Sequence, residues 1–237
     1  MFRVLQANLG ILILVAGAFA QKRELPQPRV VTPGMNGTAP SDAVLLFNGR
    51  DTTGLVRKNG SPTGCEAKDG ELICATGAGD VYTTEKFQSA QIHLEFNLPA
   101  MPDKKGQLRG NSGVYLHGRY EIQVLDSFEN PTYADGSLGA IYRQAAPLVN
   151  AARKPEEWQS YDILFRAPKC DADGRVVEKA VVTVMLNGVL VQDHVAIEKT
   201  QAESCTGGPL MFQDHSGFPG APKTVLRFRN VWMRRLD

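Results

Sequence analysis

Excess charge is the first thing this sequence lacks. Lys and Arg number 26 against 25 Asp and Glu, a net charge of +1. No basic cluster stands out either, so nucleic acid is excluded as the expected partner. Histidine is scarce, with four residues, and no two of them stand at the short spacing of a strong metal motif. No stretch sustains a helical apolar period over three turns, which argues against a helical domain. The one long apolar run, Leu9 to Ala20, is too short to favour a spanning helix.

What is present begins with that run. Arg3 precedes it and Ala18-Phe19-Ala20 closes it, the pattern of a signal peptide over residues 1–20. It predicts a periplasmic or secreted protein with no membrane partner once the signal is removed. Residues 21–41 are rich in Pro, Gly and Thr and show no apolar period, so they read as a linker or loosely attached arm. The domain proper is predicted over 42–237, a length that suits one β-sandwich.

Four cysteines fit export. Cys65 and Cys74 flank Asp69-Gly70, a strong two-residue turn signal. Counting outward, Lys68 faces Glu71, Ala67 faces Leu72, Glu66 faces Ile73 and Cys65 faces Cys74. The last pair falls on a non-hydrogen-bonded position, where Cα atoms come closest, and a disulfide fits there. Cys170–Cys205 follows by elimination.

From residue 42 onward, short runs rich in Val, Ile, Tyr and Phe alternate with turn residues. Asn187-Gly188, between VVTVML and VLVQDH, is a second hairpin signal. Residues 145–157 are predicted to be a loop lying over one face. So many strands in one domain imply an all-β sandwich of two packed antiparallel sheets.

The segment Gly110 to Asp126, GNSGVYLHGRYEIQVLD, carries the most orderly alternation. Its period of two places Ser112, Val114 and Leu116 on one face, and Asn111, Gly113, Tyr115 and His117 on the other. In the next strand Tyr120, Ile122 and Val124 alternate with Glu121, Gln123 and Leu125. The polar face therefore gathers Asn111, Tyr115, His117, Glu121 and Gln123, groups able to bond and stack on a sugar. Near the end of the chain Met211, Gln213 and His215 share a face, and Asp214 and His215 sit where the strand breaks at Ser216-Gly217. Asp214 suits either a turn cap or a functional role. His117 and His215 are the candidates for proton transfer, because imidazole titrates nearest neutrality. No cofactor is expected; a divalent cation on Asp126 or Asp214 is compatible with the sequence but not demanded by it.

Several segments in order, LLFNGRDTTGL, DGELIC, GNSGVYLHGRYEIQVLDS, EWQSYDILFRAP, VTVMLNGVLVQDH and GPLMFQDHSGFPGAPKTVLRFRNVWMRRL, resemble the 3-keto-disaccharide hydrolase family. The resemblance covers about residues 42–236. It departs from the family at Gly54-Leu55, usually Gly-Trp, and at Cys65, in a region that usually holds Trp. It implies a concanavalin A-like jelly roll of two curved antiparallel sheets, one forming a sugar groove, and a glycoside substrate oxidised to a ketone at C3. Such a ketone acidifies the C2 proton. A base near C2, a donor for the enolate oxygen and an acid for the leaving oxygen then suffice for elimination, followed by hydration. Parity and resemblance together suggest His215 or His117 as base, and Glu121 with Asp126 as acid or orienting groups. Asn111, Gln123, Gln213, Arg109, Arg119 and Asp214 would bind the sugar, and Tyr115 would stack on it or donate. The alternative is a non-catalytic carbohydrate-binding jelly-roll module. An ordinary β-glucanase is disfavoured, since Glu121, Gln123 and Leu125 supply one carboxylate where two are needed.

Overall fold

The computed structural model describes residues 25–198 and 204–236. The predicted signal peptide lies outside the described residues. The chain divides into two units, Met1–Val30 and Val31–Asp237. Every strand among the described residues belongs to the second. Among the described residues, no helix is long and apolar enough to cross a membrane.

Among the described residues fifteen strands alternate with turns: β1 (Val44–Leu45), β2 (Leu55–Val56), β3 (Glu66–Lys68), β4 (Glu71–Ala75), β5 (Val81–Phe87), β6 (Ala90–Asn97), β7 (Asn111–Leu116), β8 (Tyr120–Leu125), β9 (Trp158–Arg166), β10 (Lys169–Cys170), β11 (Val176–Glu178), β12 (Val181–Leu186), β13 (Val189–Ala196), β14 (Gly208–Phe212) and β15 (Val225–Arg235). Eight form one antiparallel sheet in the order β13-β12-β9-β6-β15-β4-β3, with β1 also on β15. Five form the second, β2-β5-β14-β7-β8, and β10 and β11 make a separate ribbon. This is the expected jelly-roll sandwich. The sequence hid the ribbon, because its strands are only two and three residues long.

The turns follow from residues that tolerate positive φ. Asp69-Gly70 (φ 52° and 84°) and Asn187-Gly188 (φ 53° and 80°) close the two predicted hairpins. Glu66, Ala67 and Lys68 pair with Ile73, Leu72 and Glu71 as counted. Cys65 and Cys74 stand just beyond, bonded with Cα atoms 4.5 Å apart. Cys170 and Cys205 form the second disulfide. Residues 145–157 hold no named strand, as expected, although Ala145 makes an isolated bridge to Ile141.

The core lies between the sheets. Ile92, Leu94 and Phe96 of β6 and Tyr161, Ile163 and Phe165 of β9 are fully buried, as are Val114, Ile122, Val124 and Leu210 of the small sheet. At about 25 cal/mol per Å² of buried apolar surface, such side chains supply most of the drive to fold. A polar contact crosses the core beneath the hairpin. The buried Tyr161 hydroxyl donates to the Gln123 carbonyl at 2.5 Å. It ties the large sheet to β8 directly under the polar face of the β7–β8 hairpin.

Residues 31–41 form no strand or helix, yet they belong to the second unit and are bonded to its large sheet. Trp232 Nε1 donates to the Gly37 carbonyl at 2.8 Å. A Cβ on Gly37 would come within 2.4 Å of the Glu95 carboxylate and 2.9 Å of His93 Nε2. Only glycine fits there.

Candidate functional site

The outer face of the five-stranded sheet holds a groove of about 870 Å³. Its floor is the β7–β8 hairpin, where Gly113 opposes Gln123, Tyr115 opposes Glu121 and Asn111 opposes Leu125. Gln213 follows β14 directly and continues its ladder, its backbone N donating to the Gly113 carbonyl at 2.9 Å. Beyond β8, residues 139–142 bond along the strand edge, with Gln123 N donating to Ala140 O and Tyr142 N to Glu121 O. This segment brings Tyr142 to the groove wall.

Eight predicted residues line the groove: Asn111, Tyr115, Arg119, Glu121, Gln123, Gln213, Asp214 and His215. Their roles separate by contact. Glu121 stands directly opposite Tyr115 across the hairpin, and the Tyr115 hydroxyl accepts from Gln213 Nε2 at 3.0 Å. Gly113 makes the crossing possible. A Cβ there would lie 2.6 Å from the Tyr115 ring and 2.7 Å from the Glu121 carboxylate. Burial pushes the Glu121 carboxyl up to about 7, against the opposing pull of the Tyr115 hydrogen bond. Burial first, and the Glu121 charge second, push the Tyr115 phenol well above its ordinary value. The pair thus combines a carboxyl poised near neutrality with a phenol that keeps its proton.

Asn111 and Gln123 are buried, at 4% and 2% exposure. Asn111 Nδ2 donates to the Gln107 carbonyl (2.9 Å) and to Gln107 Oε1 (3.2 Å), and Gln123 Nε2 donates to the same Oε1 (3.1 Å). Gln107 Nε2 in turn donates to the Gly136 carbonyl and the Thr132 hydroxyl. A backbone carbonyl can only accept, so the three amides are held in one orientation. They form a fixed floor beneath Glu121.

His215 begins a short 3-10 turn, His215–Gly217, and stacks on Phe218 with ring centroids 4.1 Å apart and planes 8° from parallel. Burial holds its pKa below the ordinary histidine value, although Asp214 pulls the other way. Burial thus favours the neutral imidazole, which lines the groove.

Five expectations change. His117 is not on the polar face. It occupies the β7–β8 turn with φ 55°, which breaks the strand parity. Its ring, 3% exposed, packs against Phe87, Phe165 and Tyr120, and its Nε2 bonds the Gln88 carbonyl at 3.0 Å. Burial lowers its pKa. It is a core residue. Asp126 shares the parity of Ile122 and Val124, not that of Glu121. It is buried beside Arg109, with Nη1 3.2 Å from its Oδ2. Burial raises its carboxyl while Arg109 opposes the shift. Arg109 is committed to Asp126 and to the Phe128 carbonyl at 2.8 Å. Neither residue lines the groove. Arg119 borders the groove, but its guanidinium donates to the Ser204 and Thr206 carbonyls and anchors the loop around Cys205.

Asp214 is the cap that the sequence left open. It accepts from the amides of Gly77, Gly79 and Ser216 at 2.7–3.2 Å. Burial works against its charge, yet those amides hold its carboxyl below the usual range. It shapes the loop that carries His215 and has little capacity left for a sugar or a cation. Among the described residues, no three His, Cys, Asp or Glu side chains converge as a metal set.

Gln107, Tyr142 and Asp80 also line the groove and were not anticipated. Gln107 lies in a 3-10 turn and Tyr142 in a loop, where no strand parity signals direction. Asp80 immediately precedes β5 and accepts from the Asp214 amide at 2.8 Å. The run of small residues before it gave no alternation to extend.

Comparison with known proteins places this geometry in a family. Residues 42–234 match the 3-keto-alpha-glucoside-1,2-lyase-like domain. A solved structure from Parabacteroides distasonis, described as a candidate glycosyl hydrolase, is similar with a TM-score of 0.83 at 40% identity, covering 91% of this chain and 94% of that one. A second candidate glycosyl hydrolase from the same bacterium is similar with a TM-score of 0.60 at 25% identity, covering 83% of this chain and 94% of the other. No curated protein matches the chain by sequence. The match across nearly the whole sandwich, with the 40% identity to a solved relative, establishes that the chain belongs to the 3-keto-alpha-glucoside-1,2-lyase-like family.

Proposed function

We propose that the protein is an exported carbohydrate-active enzyme that cleaves 3-keto-glycosides by C2 proton abstraction and elimination, followed by hydration. The observation that carries this reading is the Glu121–Tyr115 pair. It sets one carboxyl, pushed by burial to near neutrality, opposite a phenol across the hairpin, with no second carboxylate in register on that strand face. A glycosidase needs two carboxyl groups flanking the bond. An elimination needs one base, because the C3 ketone has already acidified the C2 hydrogen.

The steps balance as follows. Glu121, ionised, takes the C2 proton, and the electron pair forms a C2–C3 enolate. The enolate expels the C1 substituent, giving the C1–C2 double bond and restoring the ketone. Tyr115 gives its proton to the departing oxygen and regains one from Glu121, while Gln213 Nε2 donates to the transient phenolate. The C2 proton thus ends on the leaving group. Neutral His215 then assists water addition at C1, returning a 3-keto sugar. Positioned proton transfer of this kind is worth about 10²–10⁴ in rate.

The family names of the chain and of its Parabacteroides distasonis relative both favour a saccharide ligand, and a groove of about 870 Å³ offers room for more than one sugar ring. Two disulfides and the N-terminal apolar run favour export. The test is a turnover assay on matched pairs of glycosides and their 3-keto derivatives. Release of the leaving group from the keto members alone is expected. Cleavage of the unoxidised parents at equal rates, or sugar binding without release from either, would overturn the reading.

A further inference from the structure

A second, much smaller cavity, with about 30 Å³ of space for a water-sized sphere, lies at the end of the sandwich behind the groove. β4 and β15 of the large sheet contribute Cys74 and Leu226 to its wall, and β7 and β14 of the small sheet contribute Asn111 and Phe212. Seven buried side-chain polar atoms among the described residues have no hydrogen-bond partner within the protein. Three of them, Arg109 Nε, Asn111 Oδ1 and Thr224 Oγ1, belong to residues that line this one cavity. Buried polar groups in folded proteins are almost always satisfied, by protein or by ordered water.

The three atoms select their ligand by chemistry. Arg109 Nε–H only donates, the Asn111 oxygen only accepts, and the Thr224 hydroxyl does either. The oxygen is the free end of Asn111 because its nitrogen is committed to the Gln107 carbonyl. Arg109 repels a cation, and the Asn111 oxygen repels an anion. The arginine's charge is in any case met by Asp126 at 3.2 Å. Water both donates and accepts, and the cavity has room for one or two molecules.

We propose that this cavity binds an ordered water, held by Arg109, Asn111 and Thr224, which positions the groove floor. Asn111, Gln213, Asp214 and His215 line both the cavity and the groove, so the water stands directly behind the groove wall. By accepting from Arg109 and donating to the free Asn111 oxygen, it restrains the position of an amide whose orientation the Gln107 carbonyl already sets. That amide shares Gln107 Oε1 with Gln123 and so sets the floor under Glu121. Its effect on turnover rests on the function proposed above; its presence does not.

Crystal structures of the wild type, Thr224→Val and Thr224→Ser test the site. Val is nearly isosteric and removes only the hydroxyl; Ser restores it. A density peak about 3 Å from all three atoms is expected in the wild type and in the Ser variant. In the Val variant the peak should be lost or displaced and the Asn111 side chain should shift, its nitrogen still on the Gln107 carbonyl. The KM for a 3-keto-glycoside should then rise about 3- to 10-fold with kcat within about twofold, since the floor binds rather than reacts. An empty cavity in wild-type crystals that order other buried waters would overturn the site, and so would an anomalous peak there after a bromide soak. Loss of the peak with Asn111 and KM unchanged would overturn the positioning role. If the wild type turns over no 3-keto-glycoside, the functional proposal fails while the density still decides the water.

Discussion

Both outer faces of the sandwich are polar, and each carries histidine and carboxylates, yet they are organised by opposite logic. On the eight-stranded sheet every acidic group of the cluster has a cationic or imidazole partner. Glu95 meets Arg229 at 2.6 Å, Asp42 meets Arg234 at 2.7 Å, and Asp162 meets His93 at 2.7 Å. Trp232 stacks on His93, and residues 31–41 cover the cluster. On the five-stranded sheet Glu121 meets a phenol and no cation is among the causes of its shift. Its carboxyl rises to about 7 and faces open space. Paired charges hold a face together. A half-buried carboxyl without a countercharge is unstable as an ion and is therefore able to move a proton.

The largest effect that can break this contrast is Glu121→Gln. It keeps the shape of the floor and removes the base, so kcat on a 3-keto-glycoside should fall about 10³-fold or more. Tyr115→Phe deletes the donor to the leaving oxygen and should cost about 10²-fold in kcat with KM little changed. Steady-state kinetics check both, and a loss below tenfold in either would move the chemistry elsewhere in the groove.

pH sharpens the contrast in two ways. As base, Glu121 must be ionised, so kcat/KM should rise with pH and level off above about 7. Stability should run the other way. Between 4.5 and about 7 the folded protein keeps the Glu121 proton that the unfolded chain has lost, so stability falls as pH rises through that window. The loss is on the order of 2–3 kcal/mol. Denaturant titrations from pH 4.5 to 8 should show it in the wild type, superposed on other groups, and show it reduced in Glu121→Gln.

The opposite face predicts the reverse pattern. Glu95→Gln leaves Arg229 without its countercharge and should destabilise by about 1–3 kcal/mol while kcat stays within about twofold. The smallest effect belongs to His117→Phe. The ring sits among Phe87, Phe165 and Tyr120, so activity should stay within about twofold, with at most about 1–2 kcal/mol of stability lost with the Gln88 bond.

His117 and His215 also mark what the sequence could convey. Alternation placed Tyr115 beside Glu121, because the pleat decides direction inside a strand, and it held for Gln213, whose backbone N continues the β14 ladder to Gly113. Turn chemistry located both hairpins and the Cys65–Cys74 bridge. Parity ends where the strand ends. His117 sits one residue past β7 at positive φ, and its ring turns into the core. Asp126 lies past β8 with the parity of the core face. The capping of Asp214 depends on Gly77 and Gly79, more than 130 residues away. Gln107 reaches the floor from a turn with no period to read. The fold and half of the site were therefore local in the sequence, whereas the loop-borne half depended on contacts that close only in three dimensions.

Exchange of the C2 hydrogen of a 3-keto-glucoside with deuterated water, followed by NMR, tests the central claim most directly. Wild-type protein and His215→Ala should both catalyse exchange, and Glu121→Gln should reduce it to the uncatalysed rate. Undiminished exchange in Glu121→Gln, or its loss in His215→Ala alone, would contradict the assignment of the base.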